Sequence, residues 1–408
     1  MNIVYLNPIG EIGGAETSLL HLLGVLRAIR PRWDLSLVTG TEGPLLSRAE
    51  ALGVAARAIP LPLSLNRLGD AGLGAEHGPG VGRSAFLANL VSGGIGAARY
   101  LTRLRRAIRE VKPDVVHSNG FKMHLLSTYA SDSGIPILWH IHDYVSSRRV
   151  TGPLLRLRAS RCSAAVANSI SVAEDLRSIG MGNFNIESIY NGIDTDVFAP
   201  YGPSIDLDSL AGLPPVTPGV LRVGLLGTFA RWKGHEIFLR ALSMLSPEIP
   251  IRGYIAGGPI YQTNGSQHTI AELKKLAGAL GLNGRVGFTG FIENPAAAIR
   301  SLDIVVHAST QPEPFGLVIV EAMACGKPVI ISNCGGASEL VQDRVNALTH
   351  EPGDAAGMAA RILELAEDPR LRIRLGEAAR RTAENRFNRA RFGRDFVQIY
   401  TRLVSTQN

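Results

Sequence analysis

Short apolar runs alternate with longer stretches of helical period along most of the chain. Ile3 to Leu6 is a run of strand length, a glycine-rich turn follows, and Leu19, Leu20, Leu22, Leu23, Leu26 and Ile29 then recur on one helix face. Leu35 to Val38, Val115 to His117, Ile137 to Ile141 and Ala164 to Ala167 are further strand-length runs separated by helical stretches. Strands that alternate with helices build a parallel sheet covered on both faces, because each crossover lays a helix across it. The pattern predicts a doubly wound α/β domain over residues 1–198.

The period fails after Phe198. Pro200, Pro203, Pro214, Pro215 and Pro218 crowd the next segment, which predicts a linker over 199–219. Alternation restarts with Val223 to Leu226, Gly253 to Ala256, Arg285 to Phe288, Ile304 to His307 and Val329 to Ile331. A second doubly wound domain is expected over 220–388, with a ligand crevice at the carboxyl ends of its strands. Arg389 to Leu403 reads as a helix formed after the second sheet is complete, so 389–408 could pack back on the first domain. Leu68 to Gly96, rich in Gly and Ala, predicts no element; it reads as a loop over the cleft or an insertion.

A chain of 408 residues is too long for one ordinary core, which agrees with two domains. With 45% hydrophobic and 19% charged residues it reads as globular throughout. No stretch approaches the roughly 20 apolar residues of a membrane-spanning helix. The opening Met1-Asn2-Ile3-Val4-Tyr5-Leu6 reads as a strand and not a signal peptide, so the expected compartment is the cytoplasm. Cys162, Cys325 and Cys334 are odd in number and lack metal-ligand spacing, which argues against a disulfide framework.

The net charge is +7, and only six of the 42 basic residues are lysines. Such a surface suits anionic partners: nucleotide phosphates first, acidic lipid second, nucleic acid last. The basic residues are scattered without an aromatic-rich motif, so no nucleic-acid partner is expected. Arg99 to Arg109 carries five arginines with Tyr100, Leu101, Leu104 and Ile108 between them. That helix could lie on an anionic membrane at its inner face, or could simply be a solvated helix face packed on the sheet, which is the favoured reading.

Three segments can carry chemistry. Glu313-Pro314-Phe315-Gly316-Leu317-Val318-Ile319-Val320-Glu321 follows a predicted strand, and its proline and glycine open a helix. The amides of Phe315, Gly316 and Leu317 then form an anion-binding helix start. Glu321, about 7 Å further along the axis, suits a ribose diol, while Glu313 faces the anomeric region. The plain alternative makes both glutamates helix-entry charges. In Gly227-Thr228-Phe229-Ala230-Arg231-Trp232-Lys233-Gly234-His235, Arg231 and Lys233 can neutralise a diphosphate, or can be two surface cations. Gly10-Glu11-Ile12-Gly13-Gly14-Ala15-Glu16 lets a backbone approach a ligand. It does not read G-x-G-x-x-G, and Asp34 precedes the second strand, which argues against a nicotinamide dehydrogenase.

These segments, with Asp114-Val115-Val116-His117 and Asn191-Gly192-Ile193-Asp194, together resemble the retaining glycosyltransferase family 4, in order and over nearly the whole chain. The resemblance implies the glycosyltransferase B fold: two Rossmann-like domains facing across a cleft, the first on the acceptor side and the second holding a nucleotide-diphosphate sugar. It implies no cofactor beyond that donor and no required metal; the acceptor, a sugar or a lipid-linked one, is not named by the sequence, though a lipid-linked or envelope-polysaccharide acceptor would suit the basic first domain. By position, Glu321 would bind the donor ribose, Glu313 would contact the transferred sugar, and Phe315, Gly316 and Leu317 would offer amides to sugar and phosphate. Lys233 would hold the diphosphate, Gly14 would lie against the donor phosphate, and His142 would hydrogen-bond the sugar. Thr228 stands where many members have an arginine, so either Arg231 reaches the phosphates in its place or the clamp rests on Lys233 alone. His140 shares a strand face with His142 but brings no third metal ligand, and Asp194-Thr195-Asp196 and Asp206-Leu207-Asp208 fit the D-x-D metal pattern by chance. A nucleotide-sugar epimerase or hydrolase on the same fold, or a non-catalytic nucleotide-binding relative, are the alternatives.

Overall fold

The computed structural model describes residues 1–62, 65, 83–181, 184–258 and 266–406. Most of the segment Leu68 to Gly96, expected to form no element, lies outside the described residues; a helix runs from Arg83 to Val111. The chain divides into two compact units, Met1–Gly192 with Arg389–Asn408, and Ile193–Asn388.

The first unit holds a seven-stranded sheet made of β1 (Asn2–Asn7), β2 (Asp34–Thr39), β3 (Ala55–Ala58), β4 (Val115–Asn119), β5 (Ile137–Ile141), β6 (Ala164–Ala167) and β7 (Asn185–Ser188). All pairings are parallel and the order is β3-β2-β1-β4-β5-β6-β7, so the winding reverses between β1 and β4. Side chains alternate across the strands. Val4, Leu6, Trp139 and Ile141 meet Tyr100, Leu104, Ile108 and Met123 on one face. Ile3, Tyr5, Leu37 and Leu138 meet Leu19, Leu22, Leu23 and Leu26 on the other, together with Phe392, Phe396 and Tyr400 of the Arg389–Ser405 helix.

The five arginines of 99–109 sit on a helix whose Tyr100, Leu104 and Ile108 are buried in that core. Arg105 donates to Tyr129 O, Arg106 pairs with Glu110, and Arg109 grips Asp132 through two bonds of 2.8 and 2.9 Å. Among the described residues no helix is long and apolar enough to cross a membrane.

The second unit holds β8 (Leu221–Leu226), β9 (Ile251–Ala256), β10 (Val286–Gly290), β11 (Ile304–His307), β12 (Val329–Ser332) and β13 (Leu348–His350) in the order β10-β9-β8-β11-β12-β13, again all parallel. Here the winding reverses between β8 and β11. The expected linker 199–219 contains a helix, Leu207–Ala211, started by the Asp206 side chain accepting from the Asp208 and Ser209 amides. Asp208 is buried and binds Arg252, Arg222 and Tyr254, which ties this segment into the second unit.

Candidate functional site

The carboxyl ends of β8 and β11 lie side by side at the point of reversal, where open α/β sheets leave a crevice. After β8 the chain makes a single 3-10 turn, Arg231–Lys233, closed by Gly234 at φ +74°. A Cβ at Gly234 would lie 1.9 Å from Ala308 O, so only glycine lets this turn press against the segment after β11. That close approach places Lys233 Nζ 2.6 Å from Glu313 Oε2 and 4.2 Å from the Trp232 ring centroid. The same carboxylate oxygen accepts from Ser309 Oγ at 2.9 Å and lies 3.2 Å from His307 Nε2. Burial alone would raise the Glu313 carboxyl, but the Lys233 charge, with His307 behind it, holds it well below the usual carboxylate range.

Gly316, at φ +94°, turns the chain into the Leu317–Ala324 helix. Phe315 is buried edge-on to Phe387 and anchors the turn from below. Glu321, on the fifth residue of the helix, enters a cavity of about 200 Å³ lined by Gly227, Thr228, Gly257, Phe291 and Val318. A Cβ at Gly257 would fall 1.8 Å from Gly227 O, so glycine is needed to close this wall. Burial without a countercharge pushes the Glu321 carboxyl up to about 7. Such a group gains from ligand hydroxyls that donate to it.

Arg231, expected at the phosphates, binds Glu272 at 3.4 Å and His268 at 3.2 Å on the side of the Ile270–Ala279 helix. It is about half-exposed there. The two D-x-D segments are local structure: Asp194 accepts from the Asp196 and Val197 amides, and Asp206 and Asp208 serve the helix and the buried ion cluster. Among the described residues no three His, Cys, Asp or Glu side chains are grouped as a metal site requires.

In the first unit, Gly14 opens the Gly14–Ile29 helix, with Glu16 folding back to accept from the Gly13 amide at 3.0 Å. His142 follows β5, its ring 4.0 Å from that of His140. Burial pushes His142 down to about 3, so it is a neutral imidazole, and its Nε2 is buried without a hydrogen-bond partner.

Family models match both units. The family described as "Glycosyltransferase Family 4" matches residues 12–197, and that described as "Glycosyl transferases group 1" matches 220–382. The chain belongs to the group 1 and family 4 glycosyltransferases. Its fold is the glycosyltransferase B fold. It is 27% identical to N-acetyl-alpha-D-glucosaminyl L-malate synthase of Bacillus anthracis over 60% of this chain and 61% of that protein. It is 32% identical to D-inositol 3-phosphate glycosyltransferase of Xylanimonas cellulosilytica over 59% of this chain and 57% of that protein. These matches thus span about three-fifths of the curated relatives. Among solved structures, Anabaena HepE in complex with UDP is 26% identical, covers 98% of this chain and 100% of its own, and superposes with a TM-score of 0.78.

Within this family frame, the second unit brings Lys233 and Glu313 into direct contact and sets Glu321 in the neighbouring cavity. His307 and Ser309, which bind Glu313, were not foreseen from sequence. Their signal was present: a histidine ends β11, and a serine two residues on shares its side of the chain.

Proposed function

We propose that this chain transfers a sugar from a nucleotide-diphosphate donor to an acceptor, using the second unit to hold the donor. The observation that carries the reading is the pairing of Lys233 with buried Glu313 beside a cavity that contains a second buried carboxylate, Glu321. In this reading Glu321 accepts hydrogen bonds from the ribose hydroxyls, and Lys233 faces the diphosphate. Glu313 contacts the transferred sugar, and the amides of the Phe315-Gly316-Leu317 turn meet sugar and phosphate. Negative charge grows on the departing nucleoside diphosphate, and a cation already placed at that point lowers the barrier without reorganising. For Gly14 and His142, the phosphate and sugar contacts proposed here rest on the family resemblance, as do retention at the anomeric carbon and independence from metal. The HepE structures, one with UDP and one with UDP-glucose, support a uridine donor as the first candidate.

The test is a thermal-shift screen against UDP, GDP, ADP and their sugars, repeated with Glu321→Ala. One diphosphate series is expected to raise the melting temperature, because a ligand that binds only the folded state stabilises it by mass action. The variant loses most of that rise. A wild-type protein that no diphosphate stabilises would overturn the reading.

A further inference from the structure

We infer that the first unit docks on an anionic lipid bilayer through its Thr151–Arg158 helix. A short helix laid on a sheet buries one side and usually turns polar residues outward. Here Gly152 and Leu155 are buried toward the core. Leu154 and Leu157, three residues apart and so on one side, are 39% and 73% exposed. An outward leucine pair gains nothing in water and stabilises only when something apolar covers it.

Charge decides what covers it. No Asp or Glu occurs between Asp143 and Glu174, a stretch that holds Arg148, Arg149, Arg156, Arg158 and Arg161. Arg158 is tied to the fold by Thr128 and lies over the Tyr129 ring, and Arg161 donates to Asp132 O. Arg148 pairs with Asp143. Arg149 and Arg156 are exposed and form no ion pair among the described residues.

A cavity of about 930 Å³ opens between this helix and the end of the Ile170–Ser178 helix. Its wall includes Arg148, Arg149 and Arg156 together with Pro153, Leu157 and Ile179. Arg156 rests the flat of its guanidinium on Gly180, where a Cβ would fall 3.2 Å from Nη2 and 3.3 Å from Cζ and Nε. Contact through the face leaves the in-plane N–H groups to donate. Asp175, on the adjoining helix, is engaged by the Val145 and Ser146 amides and the Ser146 hydroxyl, so it does not claim these arginines.

Arginines around a cavity and leucines beside them match a surface whose anionic oxygens lie directly above hydrocarbon. Phosphodiester headgroups accept from guanidinium, and the acyl boundary below takes the leucines. A free phosphate would satisfy the arginines and leave the leucines in water. The Arg99–Arg109 stretch offers no such surface, because its Tyr100, Leu104 and Ile108 are buried and Arg105, Arg106 and Arg109 are engaged. The inference does not depend on the donor reading.

The test is flotation of the full chain with vesicles of phosphatidylcholine alone and of phosphatidylcholine mixed with phosphatidylglycerol, at low and high salt. Wild type is expected to float with the anionic vesicles only, and less at high salt. Replacing Arg149 and Arg156 by Gln should weaken binding by ~5-fold for each arginine lost. Leu154→Ser with Leu157→Ser should weaken it while leaving the charge unchanged. Arg103→Gln with Arg106→Gln, on the other basic helix, should bind as wild type does. All six side chains are outside the donor site, and circular dichroism checks that each variant is folded. Equal binding to both kinds of vesicle, or binding to neither, overturns the inference. So does a leucine variant that binds like wild type, or a loss confined to the Arg103 and Arg106 variant. Binding of free glycerol 3-phosphate without vesicle binding would make the cavity a soluble-anion site and also overturn it.

Discussion

Glu313 and Glu321 are both buried carboxylates at the two ends of one turn-and-helix segment, yet their surroundings push their protons in opposite directions. Lys233 and His307 hold Glu313 ionised, while Glu321 has only burial acting on it and rises to about 7. A raised carboxyl binds its proton more tightly in the folded chain than in the unfolded one. Its contribution to stability is therefore complete below about 4.5 and is lost as pH climbs to about 7. The shift corresponds to roughly 3 kcal/mol at most. Glu321→Gln is expected to be more stable than wild type at pH 8 and near-equal at pH 4.5, measured by urea denaturation at both. It should also lose most nucleotide binding at either pH.

Removing Lys233 takes the nearest cation from the buried Glu313 carboxylate, which keeps only His307 and Ser309 among the side chains described on that oxygen. Lys233→Met is expected to lower stability by about 3–5 kcal/mol, the range for breaking a buried pair. Adding Glu313→Gln to that background removes the carboxylate charge and should recover most of the loss. Sugar transfer should stay abolished in both variants. Thermal denaturation of the single and double variants, with release of nucleoside diphosphate from UDP-glucose as the activity readout, checks both halves. The sign with pH is the reverse of that for Glu321: the lowered Glu313 carboxyl adds stability above the ordinary carboxylate range, and that stability fades as pH falls below it.

Arg231 and Lys233 were adjacent candidates in sequence but sit in different surroundings. Arg231 engages Glu272 and His268 at about half exposure, whereas Lys233 is held on a buried carboxylate. An exposed pair contributes at most about 1 kcal/mol, so Arg231→Ala should change stability little. Its effect on kcat/KM is expected to stay within ~10-fold, corresponding to about 1.4 kcal/mol, against a loss of at least ~100-fold for Lys233→Met. Equal losses would place Arg231 at the diphosphate after all.

The alternation of apolar runs and helical stretches predicted the doubly wound architecture because central strands are buried on both faces and need continuous apolar runs. The strands it missed are β3, β7 and β13. Two are sheet edges with the mixed sequences Ala-Ala-Arg-Ala and Asn-Ile-Glu-Ser, and the third is the edge strand Leu348–His350 of only three residues. Edges pack on one side and carry a weak pattern. The 199–219 segment misled for a different reason: its prolines mask a short capped helix held by Asp208, and an aspartate's burial is not visible in composition. Glu313, Glu321 and Lys233 were legible because their spacing from strand ends is local. The two-residue spacing puts His307 and Ser309 on one side of the chain, but their binding to Glu313 depends on how the loop after β11 folds back, which that spacing does not encode.

Gly234 offers the sharpest test of how the site is assembled. Its left-handed backbone, φ +74°, already disfavours a side chain, and a Cβ would strike Ala308 O at 1.9 Å. The carbonyl is backbone, so it cannot swing aside as a flexible side chain could. Gly234→Ala must either push the Arg231–Lys233 turn away from β11 or unfold the His235–Ser243 helix start. We expect a loss of about 2–4 kcal/mol, from strain and displaced packing together. If the turn moves outward, Lys233 also leaves Glu313, and the variant should show weaker UDP binding even at temperatures where it remains folded. Circular dichroism melting alongside UDP titration at 10 °C separates the two effects. A folded variant with wild-type UDP affinity would show that the close approach at Gly234 is not what places Lys233.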